Sequence, residues 1–322
     1  MVETKSMNMP KVSVIVPVYG VENYIERCAR SLFEQTLGDI EYLFIDDCTP
    51  DNSIDVLKRV LKDYPLRENQ VKIFKMSQNS GQAKVRKFGI SQVTGEFTIH
   101  CDSDDWIEPQ MYEAMYDLAK RKGVDITICD YYISTDESDK RVAQDIPSSK
   151  DDLLGSIIDG RVHSSCCNKL VKRSLYDNVE MWPKANMRED LALMTQLIYY
   201  STSFAYLPHS FYHYYVNQTS ISQNNEVEHL ISRYKQSVQN YESIMSFLRK
   251  RKCLDRYNNE IQYLQFHIKI ELAPLTFRKE QYHYWCDAFP ELKVKDVLLL
   301  KIPLKRKMKY LLFSIVELLK RL

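Results

Sequence analysis

Three carboxylates within four positions make residues 99–106 (I-H-C-D-S-D-D-W) the segment of this chain best suited to chemistry. Asp102, Asp104 and Asp105 follow an apolar run over residues 96–101, which predicts a buried strand. Neighbouring carboxylates repel each other and raise each other's pKa unless a cation lies between them. Oxygen ligands favour Mg²⁺ or Mn²⁺, and both ions commonly bridge protein carboxylates to phosphates. We therefore expect a metal and a nucleotide diphosphate at this strand end.

A second acidic pair, Asp46 and Asp47, follows the apolar run over residues 42–45. A carboxylate at this point could accept the N3–H of a uracil base or a hydroxyl of a ribose. The polar residues at 51–53 need no such role, because Asp, Asn and Ser commonly cap the first turn of a helix. Capping leaves the acidic pair unexplained, and binding is therefore the better interpretation of that pair.

Two further residues could contact a nucleotide, although each also has an ordinary structural role open to it. Tyr19, after the apolar run over residues 12–16, could stack on a base or pack in the interior. Arg86 follows Gly81, a residue type that suits a turn approached closely by a ligand. The guanidinium could reach a phosphate or the acidic cluster, or it could lie in solvent on a helix. The sequence alone leaves both pairs of alternatives open.

These candidate residues lie where short apolar runs alternate with amphipathic stretches in the first 130 residues. Apolar, often β-branched runs predict strands, which we place at 12–16, 42–45, 71–76, 96–101 and 125–129. Apolar residues at helical spacing predict the helices between them, at 23–35, 54–64, 83–93 and 109–122. This alternation is typical of an α/β fold with a mostly parallel sheet that helices cover on both faces. The carboxyl ends of such strands form the edge where ligands bind.

The composition excludes some classes of protein. A net charge of +1 gives no basic character that would indicate nucleic acid. Eight cysteines without a C-x-x-C pair predict reduced thiols. The lack of a signal peptide and of any apolar run of about 18 residues predicts a cytoplasmic protein. No G-x-G-x-x-G follows the first strand and no P-loop sequence occurs, so dinucleotide dehydrogenases and P-loop NTPases are poorly supported.

The C-terminal residues are an exception to this charge balance. Residues 301–322 contain seven Lys or Arg and one acid, a charge of +6, which leaves −5 for the rest of the chain. With the leucines from residue 297 onward, this pattern is typical of an interfacial helix on an anionic membrane. Residues 297–322 would then make peripheral contact with the inner face of the cytoplasmic membrane. The alternative is a helix docked on the protein with its cations in solvent.

Four segments occur in order along the chain: V-x-V-I-V-P-V-Y from residue 12, I-D-D-x-x-x-D-N-S from 45, N-x-G from 79 and D-S-D-D-W from 102. Together they resemble the inverting family 2 glycosyltransferases of the GT-A fold. Further matches are Asn168-Lys169-Leu170, Glu189-Asp190 and Ser220-Ile221-Ser222. The resemblance implies a Rossmann-like sheet with a helical C-terminal acceptor or lid region.

The same resemblance implies an activity. A sugar would move from a nucleotide sugar, expected to be a UDP-sugar, to a saccharide or lipid-linked saccharide in bacterial surface polysaccharide synthesis. Processive members of the family carry a Gln-x-x-Arg-Trp signature, and none of the three tryptophans here lies in one. The resemblance therefore implies addition of a single sugar.

The resemblance also implies roles for individual residues. Around the nucleotide it implies contacts from Pro17, Tyr19, Asp46, Asp47, Arg86, Asp102 and Ser103. As ligands of Mn²⁺ or Mg²⁺ it implies Asp102 and Asp104. As the base that takes the proton of the acceptor hydroxyl in a single displacement it implies Asp190. Near the donor or acceptor it implies Asp105, Lys169, Glu189 and His213.

Two of these roles have purely structural alternatives. Glu189 and Asp190 could favour the start of a helix through its dipole, without any catalytic role. Many members of the family carry an Arg shortly before the Ser-Ile-Ser segment, but residues 213–217 here read H-Y-Y-V-N. His213 could replace that contact as a third metal ligand, or it could be a packed histidine beside its tyrosine neighbours.

We expect three regions along the chain. Residues 1–130 would form the nucleotide-sugar-binding core, and residues 131–225 the acceptor and catalytic-base part of the GT-A domain. Residues 226–322 would form a helical C-terminal region with the basic amphipathic tail.

Three rival functions compete with the transferase. A sugar-nucleotide pyrophosphorylase would need a Gly-rich loop after the first strand, which V-Y-G-V at 18–21 does not provide. A Mg²⁺-binding receiver-like module would need an Asp at the end of the third strand, where Ser77 and Gln78 stand. A catalytically degenerate GT-A protein that acts by protein binding stays open, although the acidic segments argue against it.

Overall fold

The structure is a computed structural model that describes residues 9–216 and 226–321. The Ser220-Ile221-Ser222 match lies outside the described residues. Within the described ranges, no helix is long and apolar enough to cross a membrane.

The strands of the described residues form one sheet. They are β1 (Val12–Val18), β2 (Ile40–Asp46), β3 (Val71–Lys75), β4 (Phe97–His100), β5 (Trp106–Ile107), β6 (Ile126–Ser134), β7 (Asp139–Val142), β8 (Lys169–Lys172) and β9 (Phe204–Tyr215). Their order is β3-β2-β1-β4-β8-β6-β9-β5, and β7 pairs with β6. The first four strands pair in parallel, as do β6 and β9, whereas β5, β7 and β8 pair antiparallel with their neighbours.

Helices connect and cover these strands. They are α1 (Ile25–Phe33), α2 (Ser53–Leu61), α3 (Gln82–Gln92), α4 (Met111–Lys122), α5 (Lys150–Ile158), α6 (Glu189–Tyr200), α7 (Val227–Lys250), α8 (Asn258–Ile270), α9 (Tyr282–Asp287), α10 (Val294–Leu299) and α11 (Leu304–Arg321). The predicted α/β class is confirmed, because the strands and helices of the first 130 residues alternate as expected.

Apolar patterning accounts for the first half of the sheet. All seven residues of β2 are buried, and α1 buries Ile25, Cys28, Ala29, Leu32 and Phe33, which share one side of the helix. Helix α4 ends at Gly123, whose φ of 63° provides a left-handed cap that other residue types adopt reluctantly. Burial on both faces therefore fixes the parallel strands from which the acidic segments emerge.

The second half differs from the sequence expectation in two places. The four-residue strand β8 lies between β4 and β6, although no strand was expected at 169–172. Residues 131–134 extend β6 beyond the strand expected at 125–129 and form a hairpin with β7. A four-residue strand carries too little periodicity to stand out, and the extension of β6 depends on its pairing with β7 and β9.

Two large apolar cores hold the elements together. One surrounds β1, β2 and β4 with α1 and α4, and residues of β8 and β9 also contribute to it. The other packs β6 and β8 against α5 to α11, so it draws on residues from 126 to 313. The C-terminal helices are therefore part of the core beside the second half of the sheet.

Candidate functional site

The carboxyl ends of β1, β2 and β4 bring the predicted nucleotide residues to one edge. Val18 pairs with Asp46, and the backbone N–H of Asp47 donates to the Val18 carbonyl at 3.0 Å. Pro17 is half-buried, and Tyr19 beyond it is 48% exposed. An exposed ring at this edge is free of the interior packing that was the alternative for Tyr19.

Asp47 organises the turn that precedes α3. Its two carboxylate oxygens accept the backbone N–H groups of Ser80 and Gly81, at 2.7 and 2.8 Å. Gly81 has a φ of 82°, and a Cβ there would lie 2.6 Å from Nδ2 of Asn186. Glycine is thus required both by the backbone and by the close approach of a loop from the second half. Asp46 accepts the Thr49 N–H at 2.8 Å at the same edge.

Arg86 lies at the centre of the site, buried beneath three carboxylates. Its guanidinium contacts Asp102 at 2.7 Å and also pairs with Glu189 and Asp190. Burial by itself would lower the pKa of Arg86, but the charges of Asp190, Glu189 and Asp102 raise it well above its ordinary value. The solvated position that was the alternative for Arg86 is therefore wrong.

The pKa values of the two carboxylates at the start of α6 are shifted in opposite directions. Burial raises the pKa of Glu189 well above its ordinary value, and the charge of Asp190 adds to this effect. Burial also acts to raise the pKa of Asp190, but the Arg86 charge outweighs it and lowers that pKa. Arg86 thus favours the charged form of Asp190, and about a quarter of the Asp190 side chain (23%) is exposed to solvent.

The loop that precedes Glu189 and Asp190 has a strained backbone. Arg188, just before α6, has a φ of 62°, which an L-residue adopts only when its surroundings hold it there. The Arg188 guanidinium contacts Glu271 at 2.7 Å, and Nδ2 of Asn240 donates to the carbonyls of Ala185 and Met187 at 2.8 Å. Helices α7 and α8 therefore fix the loop that carries Glu189 and Asp190.

The acidic segment after β4 divides into inward and outward carboxylates. Asp105 is buried and accepts hydrogen bonds from the Tyr212 hydroxyl and the Tyr215 N–H. Burial raises the pKa of Asp105, and the charges of Asp104 and Asp102 raise it further. Asp102 and Asp104 are both partly exposed, and Ser103 between them is buried.

These carboxylates fit a divalent cation that the substrate helps to hold. The residues described contain no group of three or more His, Cys, Asp or Glu side chains arranged around one metal position. Mg²⁺ sites that use one or two carboxylates complete their coordination with water and substrate phosphates. Asp102 and Asp104 suit that kind of site, since both are hard oxygen donors and their mutual repulsion favours a cation.

His213 has the surroundings of a packed residue. Its ring is stacked between Trp106 and Tyr132, with ring centroids 4.7 and 4.6 Å away. Its two ring nitrogens lie 3.0 Å from Ser134 Oγ and from Glu108 Oε1. This placement favours the packed alternative for His213 over a metal ligand.

Lys169 is fully buried and holds a loop. Its Nζ donates to the carbonyls of His163 and Ser165, at 2.6 and 2.8 Å, and to Asn168 Oδ1 at 2.7 Å. Burial lowers the pKa of Lys169 to about 8. The structure thus directs this amine into the loop over 163–168, and its contacts are those of a positioning residue.

Several residues at the site carried no signal in the sequence. Gln82 donates to Asp102 Oδ1 at 2.9 Å, directly after the N-x-G segment, and this proximity could have identified it. Asn186 accepts the Ala83 N–H at 3.2 Å across 103 positions of sequence. The Arg27 guanidinium lies 3.7 Å from the centre of the Trp106 ring and donates to the Asp104 carbonyl. The contacts of Asn186 and Arg27 join residues that are far apart in sequence, so no local pattern predicts them.

Sequence comparisons match this architecture to known proteins. The model of the family described as glycosyl transferase family 2 matches residues 13–180. The putative glycosyltransferase EpsH of Bacillus subtilis is 29% identical over 264 residues, which cover 79% of this chain and 74% of EpsH. The poly(ribitol-phosphate) beta-glucosyltransferase of Bacillus spizizenii is 34% identical over 120 residues, or 37% of this chain and 18% of that protein.

Structural comparisons give the same fold. S. aureus TarS (residues 1–349), solved in complex with UDP-GlcNAc, aligns with a TM-score of 0.68 at 18% identity, over 90% of this chain and 84% of that one. The mannosyltransferase PcManGT of Pyrobaculum calidifontis, solved with GDP-Man and Mn²⁺, gives a TM-score of 0.54 at 13% identity, over 97% of this chain and 88% of that one. At such identities the likeness establishes a shared fold.

Proposed function

The chain belongs to glycosyl transferase family 2, and on that premise we propose that it moves a single sugar, with inversion, from a UDP-sugar to a saccharide acceptor. Family membership confirms the predicted class of enzyme, a glycosyltransferase. One observation carries the proposal beyond the class. Arg86 contacts both Asp102, at the donor edge, and Asp190, the predicted base. Donor and acceptor chemistry would therefore meet above a single guanidinium, as a single displacement requires.

On the donor side, the proposal assigns the nucleobase to Pro17, Tyr19 and the Asp46–Asp47 pair. The oxygens of Asp47 already accept two backbone N–H groups, but a carboxylate has further lone pairs that could accept a uracil N3–H. Asp102 and Asp104 would hold Mn²⁺ or Mg²⁺. When bound, such a cation stabilises the charge of the departing diphosphate.

On the acceptor side, Asp190 would remove the proton of the attacking hydroxyl. The lowered pKa keeps this carboxylate ionised, and its partial exposure leaves it open to an acceptor. Glu189 beside it and Arg86 below it would fix the orientation of the Asp190 carboxylate. The proton of the hydroxyl thus passes to Asp190 as the glycosidic bond forms and the bond to the diphosphate breaks.

The acceptor is proposed as a growing surface polysaccharide, either free or linked to a lipid. The similarity to the poly(ribitol-phosphate) beta-glucosyltransferase supports a polymeric acceptor. A lipid-linked acceptor would place the reaction in the cytoplasm at the inner face of the membrane, with residues 297–322 in peripheral contact.

Calorimetric titration of UDP, GDP and dTDP, each with and without Mn²⁺, tests the donor assignment. We expect Mn²⁺-dependent binding of UDP and weaker binding of the other two. Preferred binding of GDP or dTDP would overturn the uracil assignment while leaving the enzyme class in place. Absence of binding by all three would favour the catalytically degenerate alternative.

The Asp104→Ala variant tests the metal assignment in the same experiment. The affinity for UDP in Mn²⁺ should fall to the metal-free value, because one of two protein ligands is lost. Asp39→Ala removes a carboxylate that is 65% exposed on the opposite end of the strands, and it should bind UDP normally. Full Mn²⁺-dependent affinity in Asp104→Ala would contradict the assignment.

A further inference from the structure

Helix α11 carries two apolar faces on opposite sides. One docks on the protein, where Tyr310 and Phe313 are buried with ring centroids 5.4 and 5.6 Å from that of Trp285. This face agrees with the docked helix that the C-terminal pattern allowed as an alternative. It leaves Leu304 and Leu312 unexplained, because both are exposed on the other side of the helix.

The second face points away from the protein. Leu304, Met308 and Leu312 are exposed by 71, 56 and 55%, and Ile315 is also exposed. Steps of four, four and three residues place these side chains in one row along a helix of 3.6 residues per turn. Single exposed leucines are ordinary on protein surfaces, whereas a continuous row marks an interaction site.

The end of α10 extends this row. Leu298 and Leu299 are exposed, by 48 and 82%. The Nζ of Lys307 donates to the Leu298 carbonyl at 2.6 Å, which ties the end of α10 to the first turns of α11. Together the two helices present what we term the exposed apolar row, defined by Leu298, Leu299, Leu304, Met308, Leu312 and Ile315.

Cations flank the row, and the nearest acids in sequence, Asp296 and Glu317, lie just outside it. Helical spacing places Lys305 and Lys309 along one side of the row and Lys307 along the other. Residues 297–316 contain five Lys or Arg and no Asp or Glu. An apolar stripe between cations suits the surface of an anionic membrane. The apolar side chains can enter the outer part of the acyl region, while the cations contact the anionic headgroups.

We propose that the exposed apolar row and its flanking lysines bind an anionic lipid bilayer surface, with α10 and α11 lying in the interface. This inference deepens the proposed function, because membrane binding would carry the active site to a lipid-linked acceptor. Binding does not depend on which sugar is transferred. A second copy of the chain is a poorer occupant of this row, because pairing would bring two sets of cations together.

Sedimentation of the full chain with vesicles tests this proposal. One set of vesicles contains phosphatidylcholine alone, and the other contains equal parts of phosphatidylcholine and phosphatidylglycerol. We expect binding to the anionic vesicles, weakening as salt is raised, and little binding to the neutral ones. Calorimetry with UDP on the same protein measures the proposed donor site separately, so failure of one result is distinguishable from failure of the other.

Two variants separate the apolar from the electrostatic contribution. The triple change Leu304→Ser, Met308→Ser and Leu312→Ser should abolish sedimentation, and Lys305→Gln with Lys309→Gln should weaken binding about tenfold to thirtyfold. All five side chains are exposed, so the fold and UDP binding should be unaffected. Lys58→Gln with Lys62→Gln, which removes the same charge from the exposed side of α2, is the matched control.

Three outcomes would overturn the proposal. They are no sedimentation with anionic vesicles, sedimentation that the triple variant retains, and concentration-dependent self-association that the triple variant abolishes in the absence of lipid. The last outcome would assign the row to an interface between copies of the chain.

Discussion

The two sides of the Arg86 cluster are built in different ways. On the donor side, Asp47 and Asp102 lie one and two residues after the ends of β2 and β4, so pairing between neighbouring parallel strands sets their positions. On the base side, Glu189 and Asp190 follow a loop without strand pairing, and side chains of α7 and α8 hold that loop. Donor binding should therefore depend on the pairing of neighbouring strands, whereas the position of the proposed base should depend on helices that lie far from it in sequence. The variants below should separate the two dependences.

The largest effect is expected from Asp190→Asn, which removes the proposed base while keeping its shape. Transfer should fall by about 10²- to 10⁴-fold, the usual contribution of a general base. UDP affinity should be retained, because the donor edge is untouched. Rates of sugar transfer and calorimetric titration of UDP provide the two measurements.

Glu189→Gln is the matched control for this variant. Burial raises the pKa of Glu189 and so disfavours its charged form, and a neutral amide of the same shape should therefore retain most of the transfer rate. Near-normal turnover in Asp190→Asn, or equal losses in both variants, would remove Asp190 as the base.

Arg86→Met should disturb both the donor side and the base side of the cluster, and it should destabilise the fold. It leaves three carboxylates without their shared cation, and loss of one partner of a buried ion pair costs about 3–5 kcal/mol of unfolding free energy. The loss should shrink in acid, since protonated carboxylates no longer need the cation. Urea unfolding at several pH values measures it. Arg30→Met is the control: Arg30 also lies between two acids, but at the surface, and should change stability by about 0–1 kcal/mol.

Asn240→Ala should loosen the base side alone. The buried amide donates to the Ala185 and Met187 carbonyls, and leaving these groups unsatisfied costs about 1–3 kcal/mol. We expect slower transfer with unchanged UDP affinity, measured as in the first experiment. Gln239→Ala, on the exposed face of the same helix, should leave both unchanged. A loss of UDP affinity in Asn240→Ala would show that the two sides are not independent.

Glu41→Gln should have the smallest effect, because Glu41 lies at the start of β2, away from the donor edge. Burial acts to raise the pKa of Glu41, but hydrogen bonds from Ser13, Lys72 and Thr94 outweigh it and lower that pKa. A lowered pKa stabilises the fold above the ordinary value of 4.5, and this contribution is lost as the pH falls through the folded-state value. The amide keeps the Oε1 contacts and loses only the Lys72 pair, so stability should fall by about 1 kcal/mol at pH 7.

The pH dependence of that difference is the check on Glu41. Thermal unfolding of both proteins should give a gap at pH 7 that closes as the pH falls below the ordinary carboxyl range. A gap that is constant with pH would mean that Glu41 is not ionised in the folded protein.

The difference between the donor side and the base side also explains which features could be predicted from the sequence. The strands of the first half and the acids at their ends were accessible, because β-branched apolar runs and helical spacing are local patterns. The contact of Arg86 with Asp190 spans 104 positions, and the strand at 169–172 is defined by its partners. Lys169 gave no sign of burial, since the carbonyls that accept from it belong to an irregular loop. Tertiary packing, with no local signature, sets all three.

The position of β8 has a consequence for how the chain is made. Strands β4 and β6 both lie within the first 134 residues, yet they do not pair with each other, because β8 lies between them. During synthesis, β4 and β6 cannot pair with β8 until residues 169–172 have left the ribosome. Pairing of β6 with its parallel partner β9 is delayed further, until residues 204–215 have been made. Closing such distant contacts is slow and leaves strand edges open in the meantime. The edge of β4 that pairs with β8 in the folded protein therefore stays unpaired during the synthesis of about 70 more residues.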